Sequence, residues 1–211
     1  MNFFLKIWTL YKNAFGGLTR PAWMLAIVML INRSGTMVLP FLGLYLTSSL
    51  GYNLEQTGII ISCFGVGSMA GSFLGGWLTD KYGHFYIQFL SLVVGGIFFI
   101  LMANVTEFFT MASGIFILSA VSESFRPANS ASVSFYAKPE NISRAFSLNR
   151  MAINLGFSIG PAIGGLLAAL SFKWLFIADG TTCIGAGLLF FFYFRNRKGN
   201  SPIQQTAIQE D

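Results

Sequence analysis

Charge is the scarcest property of this sequence. Only 10% of its 211 residues are Asp, Glu, Lys or Arg, against 54% hydrophobic residues. A water-soluble domain of this length needs a far more polar surface, so that class is excluded. Histidine occurs once, at His84, and cysteine twice, at Cys63 and Cys183. The two cysteines fall in separate apolar stretches, which leaves no disulfide framework and no metal-ligand spacing. With one histidine there is no cluster of metal ligands and no Ser-His-Asp set at workable spacing, so an integral-membrane enzyme ranks low. A phosphate-binding loop is missing too, which removes support for an ATP-driven pump. No cofactor and no metal is expected. The first apolar stretch does not read as a signal peptide. Residues 1–20 are amphipathic, and no small-residue cleavage site follows a short apolar core.

What the sequence has is apolar length. Six stretches, near 22–48, 57–79, 86–104, 107–131, 144–170 and 174–194, are each long enough to cross about 30 Å of hydrocarbon at 1.5 Å per residue. The expected fold is an all-α membrane protein with six transmembrane helices. Its expected divisions are an interfacial segment (1–21), a six-helix bundle (22–194) and a polar tail (195–211). The basic residues support a topology. Lys6, Lys12, Arg20, Lys81, Lys138, Arg144, Arg195, Arg197 and Lys198 share one side if the spans alternate, and Lys173 lies on the other. The positive-inside rule then puts both termini in the cytoplasm of a plasma or inner membrane. Topology therefore explains the net charge of +5, and no nucleic-acid partner is implied. Arg33, Arg126 and Arg150 remain, all within spans. Two glycosylation sequons, at Asn104 and Asn141, carry little weight, because one hugs a membrane end and the other should be cytoplasmic.

Small residues recur at helical spacing. Gly67, Gly71 and Gly75 lie four apart in the second span, and Gly156, Gly160 and Gly164 repeat the device in the fifth. Lipid gives no hydrophobic drive for helix pairing, so close backbone approach through small residues must supply it. Such faces serve either as fixed packing surfaces or as faces against something that slides. Pro161 removes one backbone donor and invites a kink. Spans three and six, with runs such as Gly96–Leu101 and Leu188–Tyr193, read as greasy all round, as lipid-facing helices are. Asp179 reads as interfacial, near the outer end of span six.

The turn between spans two and three reads Gly76-x-Leu78-x-Asp80-Lys81-x-Gly83-His84. It resembles the loop 2–3 signature of the major facilitator superfamily of secondary transporters, in the right place and on the predicted cytoplasmic side. In span five, Gly156-x-x-x-Gly160-Pro161-x-x-Gly164-Gly165 is similar to the glycine-proline motif of drug:proton antiporters in that superfamily. The resemblance covers all six spans and implies one half of a twelve-helix fold. The polar tail then looks like the start of the central loop. His84 departs from the arginine usual at its position, and Phe85 from a second basic residue. By resemblance, Asp80 would cap or pair with a helix of the other half and latch the cytoplasmic side. Otherwise it belongs to a solvated turn whose Gly83 supplies a permissive backbone.

Ionisable groups inside a bilayer are costly, and so they mark candidate sites. Arg33 lies roughly eleven residues into span one, about 16 Å deep. An arginine there costs at least about 2.5–3.5 kcal/mol unless it faces protein or water. The resemblance makes helices one and four line the cavity. Arg33 with Asn32 is then a candidate contact for a polar or anionic group of the solute, or one end of a structural salt bridge. Glu123 and Arg126, three apart, share a face of span four, with Pro127 placed to bend the helix below them. Glu123 is the candidate for proton coupling. Its alternative is a fixed pair with Arg126 or Arg150. Burial would raise the pKa of such a carboxylate and a nearby arginine would lower it.

The expected function is therefore proton-coupled export of a small solute by alternating access, with this chain as the N-terminal half. The expected partners are the lipid bilayer, the solute and a complementary six-helix half. Two alternatives stay open. One is a non-transporting partner or scaffold subunit derived from such a half, and the other is a transporting homodimer.

Overall fold

The computed structural model describes residues 15–197. Residues 1–14 of the interfacial segment expected over 1–21, and 198–211 of the tail expected over 195–211, lie outside the described residues. Six helical spans follow one another: Arg20–Ser49, Leu54–Tyr82, His84–Met102, Phe108–Tyr136, Pro139–Leu170 and Phe172–Phe194. All six are long and apolar enough to cross a membrane, and most run a few residues beyond the stretches read from hydropathy. The additions are mostly terminal turns carrying polar or charged residues, such as Glu55 and Gln56, Asp80 and Lys81, and Ser132 and Ser134, which lower the local hydropathy.

Local chemistry sets the ends. Thr19 accepts a hydrogen bond from the Ala22 amide at 3.2 Å, and Pro21 occupies the first turn of span one. Asn53 and Gln56 form a reciprocal capping box at the start of span two, at 2.8 and 3.1 Å. Glu107 caps span four. Its carboxylate accepts from the Thr110 hydroxyl and from the Thr110 and Phe109 amides. Those bonds hold its pKa below the usual glutamate value, so this exposed cap persists on acidification until that lowered pKa is passed. The turn between spans two and three is a single residue. Gly83 has φ of 87° and nothing near its would-be Cβ, so backbone conformation alone demands glycine there.

Two spans are interrupted midway. Span one leaves helical geometry at Gly35–Met37, then resumes as Val38–Leu44 and ends in a π-helical turn, Tyr45–Ser49. Span four is interrupted at Ser124. Pro127 explains that break. Its ring lacks an N–H and collides with the carbonyl four residues earlier, that of Glu123. The Ser124 hydroxyl instead donates to the Gly71 and Ala120 carbonyls, at 3.0 and 2.9 Å. Pro161 does not interrupt span five, which runs helical from Ile142 to Leu170.

The dominant helix pairs are two with four, five with one, and three with six. Exchanging the first three spans for the last three maps this set onto itself, as expected of two related three-helix units. The core has two apolar tiers. One gathers around Leu25, Val28, Phe85, Phe125 and Phe190, the other around Leu42, Leu46, Ile60, Met111 and Phe176. The polar residues Arg33, Glu123 and Asp179 fall between the tiers along spans one, four and six.

Three sequence expectations need correction. The glycine faces of spans two and five do not face a sliding partner. Gly67, Gly71 and Gly75 lie against the backbone of span four at Phe116, Ala120 and Ser124, and Gly156, Gly160 and Gly164 lie against span one. They are fixed packing surfaces inside the bundle. Spans three and six are not greasy all round. They pair through Gly96, Gly180 and Gly187, and span three also buries Gln88 and Ser91. Asp179 is not interfacial but buried, 3% exposed. Span six starts at Phe172, which sets Asp179 about 10 Å below that end.

These contacts predict opposite tolerance at two glycines of one helix. A Cβ at Gly71 would collide with the Ala120 backbone, whereas Gly65 has open space. Gly71→Ala should cost about 1–3 kcal/mol, as overpacking does, with Gly71→Leu worse. Gly65→Ala should lie within about 0.5 kcal/mol of the parent. Thermal unfolding of purified protein in one detergent measures both.

Candidate functional site: a polar cavity at the break in span one

Span one unwinds where the bundle holds its ionisable groups, and a cavity of about 250 Å³ opens beside it. Asn32, Arg33 and Thr36 line it from span one, Ser119, Ser122, Glu123 and Arg126 from span four, and Asp179 and Cys183 from span six. Phe64, Phe99 and Phe157 add aromatic walls. The structure thus brings all four cavity candidates of the sequence, Asn32, Arg33, Glu123 and Arg126, to one place.

Glu123 sits between two guanidinium groups. Arg33 Nη1 is 4.0 Å from Oε1, and Arg126 Nη1 is 3.2 Å from Oε2. The side chains of Arg33 and Glu123 are 11% and 14% exposed, that of Arg126 61%. One partner is therefore internal and the other faces outward. Neither contact locks the carboxylate. The Arg33 distance is beyond hydrogen-bond range, and Oε2 makes no well-directed hydrogen bond. Arg33 Nε and Ser122 Oγ are also buried without a partner among the described residues. The Arg33 guanidinium lies 5.6 Å from the Phe157 ring centroid, within cation–π reach. A loosely held carboxylate, an arginine with a spare donor and a free hydroxyl can bind a polar solute or exchange a proton.

Sequence reasoning missed several members of this site. Asp179 is the main one. Its Oδ2 accepts hydrogen bonds from the Met37 and Val38 amides, at 3.2 and 3.1 Å, which are the first donors after the break. Counting from Ser171 as the cap of span six, rather than from residue 174, would have placed it inside. Cys183 accepts from the Asn32 amide group at 3.4 Å. Phe157 follows Gly156, whose missing side chain lets span five close on the Arg33 backbone.

The span-five motif divides. Gly160 meets the Arg33, Ser34 and Thr36 carbonyls, and Gly164 meets Met37 and Phe41, so both clamp the break. Pro161 is half-buried in the same helix. Arg150 is exposed and makes no ion pair with Glu123, so the Glu123–Arg150 alternative is corrected.

The turn motif divides as well. Gly76 is half-buried, and Asp80 and Lys81 are exposed. The Lys81 ammonium lies 4.9 Å from the Trp77 ring and 5.3 Å from the Tyr82 ring. His84 is the exception. The sequence placed it in the turn, but it is 2% exposed inside the bundle. Its Nδ1 is 2.9 Å from Ser132 Oγ, which donates to Gln88 Oε1 at 2.5 Å, and Gln88 donates on to Asn129 at 3.2 Å. Which of Nδ1 and Ser132 Oγ donates follows the imidazole tautomer. Aromatic contacts with Phe135 and Tyr136 complete its surroundings. A buried, ring-packed histidine tying span three to span four stands where the resemblance would put an arginine.

The family model described as the Major Facilitator Superfamily matches residues 22–209 of this chain. The chain is 27% identical over 190 residues to the uncharacterized MFS-type transporter YttB of Bacillus subtilis, covering 89% of this chain and 47% of that one. It is 29% identical over 148 residues to the multi-drug resistance efflux pump PmrA homolog of Lactococcus lactis, covering 69% and 36%. Against the quinolone resistance protein NorA of Staphylococcus aureus it is 26% identical over 153 residues, covering 72% and 39%. The chain belongs to the major facilitator superfamily and is an integral membrane protein. It spans at most about half the length of these relatives.

The geometry ranks the two arginines around Glu123. Arg33→Gln removes the internal partner of a buried carboxylate and should cost about 3 kcal/mol. Arg126→Gln breaks a solvent-screened pair and should cost no more than about 1 kcal/mol. Thermal shifts of the two variants at neutral pH compare them directly, and equal losses would contradict this placement.

Proposed function

We propose that this chain forms the N-terminal half of a secondary transporter that exports a small solute in exchange for protons by alternating access. The observation that carries the reading is Glu123. It is a cavity-lining carboxylate within span four, with charged neighbours on two sides and, among the described residues, no hydrogen bond fixing it. Relatives whose names specify drug efflux and quinolone resistance support the direction of transport and suggest an amphipathic solute.

Each residue then has a physical task. Arg33, with its unpartnered Nε, and Asn32 contact a polar or anionic group of the solute, while Phe64, Phe99 and Phe157 receive its apolar body. Glu123 accepts a proton when Arg33 turns to the solute, and regains its charge when the guanidinium returns. Arg126, at the exposed edge, biases that exchange. Asp80 and Lys81 on the hairpin engage the complementary half and latch the cytoplasmic side. Such a half supplies the second wall of the cavity, because alternating access requires two bundles rocking about a midplane site. The expected divisions, 1–21, 22–194 and 195–211, then read as an interfacial entry, the bundle and the start of the central loop. Both termini lie in the cytoplasm of a plasma or inner membrane.

Two measurements test this reading. With the second half co-expressed, Glu123→Gln should abolish pH-gradient-driven transport of a quinolone probe in vesicles while solute–solute exchange persists. If Glu123 is only the structural partner of Arg33, the same change lowers folded yield instead. Normal yield with normal gradient-driven transport eliminates both roles. For topology, single cysteines at 52 or 106 should react with an impermeant reagent in intact cells, and cysteines at 138 or 198 only after permeabilisation. Labelling of 138 in intact cells reverses the orientation.

A further inference from the structure

The buried carboxylate of span six has no part in the scheme above, and it makes the most directed contacts around the cavity. Asp179 Oδ2 receives two amide hydrogen bonds, from Met37 and Val38. These amides open the second segment of span one. Inside a membrane an amide left unpaired costs several kcal/mol. The Met37 amide also donates to the Gly35 carbonyl at 2.7 Å, so it is the Val38 amide that depends on an acceptor delivered from another helix. The other carboxylate oxygen, Oδ1, accepts no hydrogen bond among the described residues, and the side chain lines the cavity.

The remainder of the break is clamped by close backbone approach. A side chain at Gly35 would strike Thr182 on span six, and side chains at Gly156 and Gly160 would strike Arg33, Ser34 and Thr36. Arg33 is two residues before the first unwound position, so its direction follows the geometry of that break. Among the described residues, the charged and titratable groups around Asp179 are few. They are Arg33 from span one, Cys183 one turn along its own helix, and Glu123 with Arg126 across the cavity from span four. Span three presents Gly96, Phe99 and Ile100 to this region and span five presents Phe157, none of them ionisable.

We infer that Asp179 is a positioning residue. By holding the Met37 and Val38 amides it pins the break in span one, and the pinned break aims the Arg33 guanidinium across the cavity at Glu123. It acts through Arg33 and touches no solute in this role. An asparagine at 179 keeps a carbonyl acceptor in nearly the same place and preserves the function. An alanine removes it. The inference rests on the transporter reading only for its consequence in transport, since the positioning itself is a property of the folded chain.

The test therefore uses readouts that need no transport. In lipid nanodiscs holding the full chain, hydrogen–deuterium exchange resolved at Met37 and Val38 should show protected amides in the parent. Exchange there at the rate of an unprotected peptide overturns the proposal without any variant, even if Asp179→Ala fails to fold. Asp179→Ala should speed exchange at Val38 by about tenfold or more and at Met37 by less, because the Gly35 carbonyl still accepts from Met37, whereas Asp179→Asn should stay within about threefold of the parent at both. Equal rates in all three proteins overturn it.

A thermal cycle then separates positioning from simple packing. Arg33→Gln should lower the melting temperature in the parent and in the Asp179→Asn background. In the Asp179→Ala background its effect should fall to less than about half, because the guanidinium no longer meets Glu123. Additive losses overturn the link to Arg33. These outcomes hold whether or not Glu123 carries the coupling proton, so failure of either reading is visible by itself.

Discussion

A backbone amide in hydrocarbon must find an acceptor, and this constraint governs the bundle. Unbroken helices meet it internally. Span one does not, because it leaves helical geometry at Gly35–Met37 in the middle of the protein. Local carbonyls take the Gly35 and Thr36 amides, Gly35 and Asp179 share that of Met37, and Asp179 from span six takes that of Val38, while spans five and six press against the gap through Gly156, Gly160 and the Gly35–Thr182 contact. Arg33, the cavity and the approach of Glu123 all follow from that one local failure of the helix. Span four repeats the pattern with different chemistry. There Pro127 interrupts the helix, and the Ser124 hydroxyl bonds to carbonyls on both sides of the two–four contact.

The same constraint organises the polar residues into layers. Apolar tiers lie on either side of the middle of the bundle. Between them, Arg33, Glu123 and Asp179 form a small charged set in which the carboxylates have different duties. Asp179 spends one oxygen on the backbone and is held by geometry. Glu123 has two nearby cations and no directed bond, so its partner can change. Stability and exchange are thereby assigned to separate groups, which lets the break stay intact while the charge beside it moves. At the start of span three, the His84–Ser132–Gln88–Asn129 chain ties spans three and four by side-chain hydrogen bonds.

Composition and periodicity made much of this legible. Apolar runs of sufficient length mark six membrane spans, because hydrocarbon thickness sets a minimum helix length. Glycines at four-residue spacing mark close helix contacts, because helical geometry puts those positions on one face. The ionisable residues at Arg33, Glu123 and Arg126 identify a polar interior, because such groups avoid lipid. Pro127 marks the break in span four through its missing donor. The motif between spans two and three, with that of span five, points to the superfamily that the whole-length comparison then established.

What each helix meets was decided by tertiary structure alone. The repeated glycines say that a neighbour comes close but not which one, so the difference between a fixed and a sliding partner lay in the pairing of two with four and five with one. Asp179 looked interfacial because hydropathy places span ends by polarity, and a carboxylate is the polar residue most easily mistaken for an end. Its burial depends on two amides more than 140 positions away along the chain. Nor can His84 show its burial in a linear pattern, since Ser132 and Gln88 become its partners only when spans three and four lie side by side. The sequence by itself determined which segments enter the membrane and which residues cannot face lipid. The tertiary structure decided who satisfies them, because a hydrogen bond or an ion pair needs two groups whose distance the chain order does not set.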